Sequence, residues 1–378
     1  MTVTQIYQLL NDTASEVYGA QAVSVLDLQG LISLRDTVLG TGTDNFMNVL
    51  VDRIGKTVLR TLDYTSEFPN FIRDEYEFGC ILQKISIQPF SASEQAAWDV
   101  GNGLFTPDIF RIDKPTIYQD FFKDSSTWTV LVTIPDQMLK TAFTSAEAMD
   151  AFITAIFDSM STSLRMQIDN VTRLAICAMI GEKVNASNGV IDLLSIYNQT
   201  AATPITTADE ALVSTDFLNF AGKVMRDYVK YLNSPSVLYN IPGRVRATAR
   251  DNMHILMLTE FVSSYDTYCK SILFDPEDLP MYSEIRFWQG TGATAPNFAD
   301  CSNVHINIPS DGTEVDQAGV VAVFCDREAI ATGYYDRFSA ADRNNRDRYT
   351  NYTEGCTIQS IVDTSENCVV FIVVDQTP

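Results

Sequence analysis

Phe46, Leu50, Ile54, Val58 and Leu62 recur at four-residue spacing behind Thr43 and Asp44, one apolar stripe along a helix opened by a capping pair. Residues 24–38 are patterned in the same way, and the LGTGTDN between the two stretches has the glycines and Asp of a turn. The first 75 residues or so therefore read as an arm of helices with little room for a core. Further on the period changes to two. In GCILQKISIQ, Ile81, Ile85 and Ile87 fall on one face and Leu82, Lys84, Ser86 and Gln88 on the other, the alternation of a strand. Its expected partner is WTVLVTI, residues 128–134. The roughly forty residues between them are rich in Gly, Pro, Asp and Phe, and so long a connection inside a compact domain argues for a job of its own. We read this as a long, projecting, two-stranded loop.

From Ser145 and Glu147 the pattern turns helical again. Phe152, Ile156, Met160, Leu164, Ile168, Val171 and Leu174 continue toward Gly181, predicting one amphipathic helix of about 50 to 55 Å. That is long enough for a structural spine. An Asn-, Ser- and Thr-rich stretch, 185–207, marks a boundary, after which Phe217, Phe220, Val224, Tyr228 and Tyr231 resume helical spacing and open an α/β domain. Within it MHILML predicts a buried strand and TEFVSSYDTYCKSI a helix, while 280–312 is rich in loops. The last sixty or so residues give an apolar strand, GVVAVFCDREA, a polar connection, YYDRFSAADRNNRDRYTNY, and two short strands, CTIQSIVD and NCVVFIVV, able to return to the long helix. No internal repeat is present.

Composition narrows the function. A chain of 378 residues that is 46% hydrophobic and 20% charged is long enough for more than one core. Its formal net charge of -22 argues against a surface devoted to polyanions, so any contact with DNA is expected to be local and weak. The N-terminal residues lack the basic and apolar regions of a secretory signal. The apolar runs LAICAMI and CVVFIVV are too short to cross a bilayer, so no membrane contact is expected. Seven cysteines without a CxxC pair suit reduced, partly buried thiols.

Catalytic chemistry is poorly supplied. His254 and His305 are each isolated among apolar neighbours, where a structural role outweighs a metal site or a catalytic triad. Gly290, Gly292 and Ala295 imitate a dinucleotide fingerprint, but Pro296 stands where a helix should open. Asp275, Glu277 and Asp278, and the run Asp311 to Asp316, lack EF-hand spacing and read as solvated turns. No cofactor is expected. Arg337, Arg343, Arg346 and Arg348 alternate with Asp336, Asp342 and Asp347 and with Tyr334, Tyr335, Phe338 and Tyr349. The interleaved acids argue against a nucleic-acid groove, and Arg and Tyr are enriched at protein interfaces, so this segment reads as a seam between subunits. Trp98, Phe105 and Phe110 of the projecting loop have no evident local core and are read as interface anchors too.

Four segments in order, NVLVDRIGKTVLRTL, WTVLVTIPDQMLKTAFTSAEAMDAFITAIFDSM, VLYNIPGRVRATARDNMHILML and AVFCDREAIATGYYDR with the terminal NCVVFIVV, resemble the major capsid proteins of tailed bacteriophages, small short-tailed phages of the phi-twenty-nine type above all. The match is poor over 280–312. The resemblance implies the α+β Hong Kong ninety-seven fold, with residues 1–75 as N-terminal arm, 76–135 as extended loop, 136–189 with 321–378 as peripheral domain around the spine helix, and 190–320 as axial domain. It implies a structural protein and not an enzyme, self-associating in pentamers and hexamers into an icosahedral shell around double-stranded DNA. Scaffolding and portal proteins are the implied partners, and assembly in the host cytoplasm the implied setting. A bacterial cargo nanocompartment with the same fold, or an enzyme of unknown type, is the alternative.

Overall fold

In the computed structural model the described residues are 3–18, 68–73, 82–90, 114–123, 125–135, 146–269, 284–286, 298–344 and 346–376. In chain order the elements are α1 (Val3–Tyr18), β1 (Ile72–Arg73), β2 (Leu82–Ile87), β3 (Ile117–Phe122), β4 (Ser125–Pro135), α2 (Ala146–Asn185), β5 (Val190–Asp192), α3 (Leu193–Thr200), α4 (Ala208–Val213) and α5 (Thr215–Asn233). There follow β6 (Met253–Leu258), α6 (Thr259–Tyr268), β7 (Glu284–Arg286), α7 (Phe298–Cys301), β8 (Val304–Asn307), β9 (Glu314–Gln317), β10 (Val320–Asp326), β11 (Ile330–Asn344), β12 (Tyr349–Val362) and β13 (Cys368–Ile372). The chain divides into two compact units. One comprises residues 1–78, 125–172 and 332–359, and the other 79–124, 173–331 and 360–378.

The spine helix is real and longer than expected: α2 has 40 residues, about 60 Å at 1.5 Å per residue. In the first unit it packs on a four-stranded sheet of order β1-β11-β12-β4. Leu164, Ile168 and Val171 form a buried cluster with Cys356 and Ile358, to which Ile72, Val130 and Tyr334 add partly buried area. Thr172 Oγ1 donates to the Ile168 carbonyl at 2.9 Å and lies 3.0 Å from Thr332 Oγ1, so its hydroxyl is satisfied inside the core. Leu174, placed on the apolar stripe by its spacing, is instead exposed.

Two sequence expectations fail in this sheet. The 128–134 strand does not pair with the 82–87 strand: β4 runs antiparallel to β12, from Tyr349 opposite Pro135 to Gln359 opposite Ser125. Side-chain alternation fixes a face but carries no information about the neighbouring strand, and β12, with 14 residues, supplies a partner long enough for all 11 of β4. The arginine-rich stretch is not a polar connection either. It is the second half of β11 and the start of β12, neighbouring strands joined by a turn at 346–348.

The second unit is built on a five-stranded sheet of order β5-β13-β10-β6-β7. Its middle strands are buried along their length, apart from the half-buried Asp326 that ends β10. This explains why MHILML, VVAVF and CVVFI are continuous apolar runs: strands covered on both faces need no polar alternate. Phe324 and Phe371 meet edge to face at 4.8 Å, and Tyr228 of α5 packs on Phe371 at 5.4 Å. The strand and helix expected from MHILML and TEFVSSYDTYCKSI are β6 and α6. Residues 185–207 hold more than a loop, since Asp192 caps α3 by accepting from the Leu194 and Ser195 amides. The 280–312 region also contains β8, which pairs with β9. The expected helices at 24–38 and 43–62 lie outside the described residues.

Candidate functional site

β2 and β3 form a two-stranded ribbon of their own, from Leu82 opposite Phe122 to Ile87 opposite Ile117. Directly opposed residues share a face. Gln83, Ile85 and Ile87 therefore stand with Ile117, Gln119 and Phe121, while Leu82, Lys84 and Ser86 stand with Tyr118, Asp120 and Phe122. An amphipathic ribbon ordinarily buries its apolar face. This one leaves an apolar group outside: Ile85 is 58% exposed, Ile87 55%, Ile117 51% and Phe121 59%, whereas the mixed face that carries Lys84 and Asp120 with Leu82, Tyr118 and Phe122 is half-buried.

Charge anchors this mixed face inward. Lys84 Nζ donates to Asp363 Oδ2 and to Glu366 Oε1, both at 2.8 Å, and lies 3.1 Å from Glu328 Oε2. Asp363 and Glu366 are buried in the segment between β12 and β13. Burial works against the Lys84 ammonium, but the hydrogen bonds and charges of Asp363 and Glu366 outweigh it and hold its pKa above the ordinary lysine value. Burial dominates at Glu366 and pushes its pKa up, an effect that Lys84 and Arg246 only partly offset. On the other strand, Arg244 donates from Nη1 to Asp120 Oδ2 and from Nη2 to Asp120 Oδ1, the planar fork of a bidentate pair. Hydrogen bonding to Arg244 holds the Asp120 carboxyl below its usual range. The same guanidinium stacks 4.2 Å above the Tyr118 ring. Arg246 Nη2 closes the group, 3.3 Å from Glu366 Oε1.

The residues singled out from the sequence separate. Trp98, Phe105 and Phe110 lie outside the described residues. Arg337, on β11, is bound within its own chain: Nη2 donates to Glu354 Oε1 at 2.7 Å and Nε to the same oxygen at 3.2 Å. Arg343 is half-buried, and Arg346 and Arg348 are exposed in the turn. Asn344 builds that turn by accepting from the amides of Arg346 and Asp347, with Arg348 at φ +54°. Replacing Arg337 by Ala leaves Glu354 buried without its cation and is expected to destabilise the isolated subunit by about 1 to 3 kcal/mol. Replacing Arg346 and Arg348 together should shift it by less than about 0.5 kcal/mol each. Urea unfolding of the two variants at low protein concentration checks the contrast.

Among the described residues no group of three or more His, Cys, Asp or Glu is placed to hold a metal ion. His254 is buried on β6, and burial, then Arg327, lowers its pKa. His305 is not enclosed by apolar neighbours as its sequence context suggested. It is exposed on β8, with Nε2 3.2 Å from Glu314 Oε1. Asp311 accepts from the Thr313 amide in a solvated turn, as expected, but Glu314 to Asp316 of the same run are strand residues of β9, and Asp275, Glu277 and Asp278 lie outside the described residues. The six described cysteines are buried.

The sequence matches the family described as "Phi29-like phage major capsid protein" over residues 10–372. It is 23% identical over 212 residues to the major capsid protein of Bacillus phage GA-1, which covers 53% of this chain and 44% of that protein. It is also 23% identical over 225 residues to the major capsid protein of Streptococcus phage Cp-1, covering 59% and 58%. The matched stretches thus span about half the length of these relatives. Among solved structures, it is similar to a chain in the capsid structure of Staphylococcus phage Andhra, with TM-score 0.53, 10% identity and coverage of 83% of this chain and 85% of that one. It is likewise similar to a chain in the structure of the head fiber and inner core protein gp22 of native bacteriophage P68, with TM-score 0.52, 10% identity and coverage of 82% and 85%.

Proposed function

The chain belongs to the Phi29-like phage major capsid protein family, and from that premise we propose that it is the repeating structural subunit of a phage shell, with the β2–β3 ribbon as one of its contacts between copies. Its fold is the Hong Kong ninety-seven type expected from the sequence, mixed helix and sheet. The role is structural and not catalytic. In this reading the ribbon is the base of the extended loop, α2 is the spine of the peripheral domain, and residues 190–320 contribute the axial domain. The arm of residues 1–75, the loop anchors Trp98, Phe105 and Phe110, and the turn carrying Arg346 and Arg348 are further contacts. Pentamers and hexamers of the chain, a scaffolding protein, a portal and weakly held double-stranded DNA are the proposed partners. The proposed place of assembly is the host cytoplasm. The capsid relatives lend no support to a cargo nanocompartment or an enzyme.

The observation that carries the reading is the outward apolar face of the ribbon. Fully burying an Ile or Phe side chain is worth about 1.5 to 3 kcal/mol. Covering four that are each a little over half exposed is therefore worth about 3 to 6 kcal/mol per contact. A monomer gains nothing from leaving that face in water, whereas a shell uses it once per subunit, and contacts made after the first are effectively intramolecular. The test is expression of the subunit with and without a scaffolding protein, followed by negative-stain microscopy and light scattering. Closed hollow particles or capsomers are expected. A monodisperse monomer at high concentration under both conditions would overturn the proposal.

A further inference from the structure

We infer that the ion pairs beneath the ribbon set its roll, holding the apolar face outward in the unassembled subunit so that a second copy of this chain can cover it; Lys84 and Arg244 are then positioning residues for assembly that need not touch the partner. The inference rests on the reading of the ribbon as a subunit contact.

Three observations carry it. The ribbon is a separate two-stranded sheet, and a pair of strands alone holds neither its shape nor its orientation well in water. Each strand has its own clamp: β2 through Lys84 to Asp363 and Glu366, and β3 through Asp120 to Arg244. Two clamps at different points fix rotation about the long axis of the ribbon, which one would not, and the forked Arg244 pair adds direction to its own.

The seat is also predominantly acidic where it meets β2, with Arg246 as its cation, set against Glu366. Asp363 and Glu366 are buried, and Glu328 stands at its edge. Rolling the ribbon over would bring Ile85, Ile87, Ile117 and Phe121 down onto these carboxylates and carry Lys84 into water. Two buried acids would then lose their lysine, and Arg244 its carboxylate, which is the costly way to break a buried pair. Rolling would cover Ile85, Ile87, Ile117 and Phe121 but uncover the half-buried Leu82, Tyr118 and Phe122, so hydrophobic burial alone discriminates only weakly between the two states. The ionic seat forbids the rolled one, so the apolar face stays open until a partner covers it.

The test uses the full chain. Lys84→Met with Arg244→Met removes both clamps. Because buried carboxylates left unpaired can unfold a subunit, a second variant, Lys84→Met with Asp363→Asn and Glu366→Gln, removes Lys84 together with its two buried acids while keeping their shape, leaving Arg246 and the exposed Glu328 in place. Hydrogen exchange is measured at a concentration too low for assembly, and shell formation is followed by light scattering as concentration rises. The ribbon amides, 82–87 and 117–122, should exchange at least tenfold faster in both variants, with the amides of β6, β10 and β13 unchanged. The concentration needed for shells should rise at least threefold, and Lys84→Arg should behave like the parent. Unchanged ribbon exchange would overturn the inference, as would faster exchange with shells forming at the parental concentration. Serine variants of the apolar face separate this from failure of the underlying reading: if they assemble normally, the ribbon is not a subunit contact, whatever its seat does.

Discussion

Serine in place of Ile85, Ile117 and Phe121 together is expected to leave a folded subunit that no longer closes shells. All three side chains point into solvent from the ribbon, so each substitution should change the unfolding free energy of the isolated chain by no more than about 0.5 kcal/mol. Between chains the arithmetic differs. Losing three half-exposed apolar side chains from a contact removes about 2 to 5 kcal/mol, a weakening of roughly 30- to 5,000-fold in pairwise affinity. A shell repeats that loss at every equivalent contact, so the expected outcome is capsomers or monomers at concentrations where the parent gives complete particles. Urea unfolding, circular dichroism and negative-stain microscopy on the same preparations check both halves. Shells of normal size at the parental concentration would remove the ribbon from the assembly contacts. A large drop in unfolding free energy would instead mean that the face is covered within one chain.

The parts of the fold legible in the sequence are those where one physical demand acts alone. The buried strands β6, β10 and β13 declare themselves because a strand covered on both faces has nothing polar to alternate with. α2 is legible because Met160, Leu164, Ile168 and Val171 keep helical spacing through an otherwise polar stretch, and all four are buried. Where two demands overlap, the pattern misleads. The second half of β11 and the start of β12 look like a polar connection because charged residues such as Arg337 occupy strand positions, and Arg337 is neutralised by Glu354 on the neighbouring strand, a pairing that composition alone does not reveal. Gly355 belongs to the same arrangement. A Cβ there would stand 2.6 Å from the Phe338 ring, so the glycine marks the seat of an aromatic side chain and not a loop.

The candidate site was half legible. Alternation separated Ile85 and Ile87 from Lys84 and Ser86 correctly, yet it cannot say which face meets the protein. Burial of the apolar face is the usual outcome, and here the charges reverse it. The reversing residues are distant in sequence: Asp363 and Glu366 lie 279 and 282 positions from Lys84, and Arg244 lies 124 from Asp120. No local pattern announces them. A single signal was available in retrospect, a lysine and an aspartate on strand faces that also carry Leu82, Tyr118 and Phe122, opposite faces that carry Ile85, Ile87, Ile117 and Phe121. That composition requires either a solvated polar face or buried countercharges, and only the tertiary structure decides between them.

The second large effect concerns the sheet that frames this seat. Gly319 and Gly312 have nearly the same positive φ, +73° and +75°, which costs any residue with a Cβ about 1 kcal/mol or more. Their surroundings differ. Nothing lies within 4 Å of a Cβ built on Gly312, whereas one on Gly319 would land on the Val373 carbonyl oxygen and 2.8 Å from the carbonyl carbon. Backbone cannot swing aside as a side chain can, and Gly319 is held on both sides, its amide donating to Ser302 Oγ at 3.2 Å and its carbonyl accepting from the Val373 amide at 2.7 Å. Gly312→Ala should therefore cost about 1 kcal/mol, and Gly319→Ala about 3 to 5 kcal/mol once overpacking is added to strain. Denaturant unfolding of the unassembled subunit measures both, and equal losses would show that the crowding at Gly319 is relieved cheaply. Because β13 follows directly from the segment holding Asp363 and Glu366, a displaced β13 should also loosen the ribbon. Faster exchange at 82–87 and 117–122 in Gly319→Ala, but not in Gly312→Ala, is the accompanying expected result.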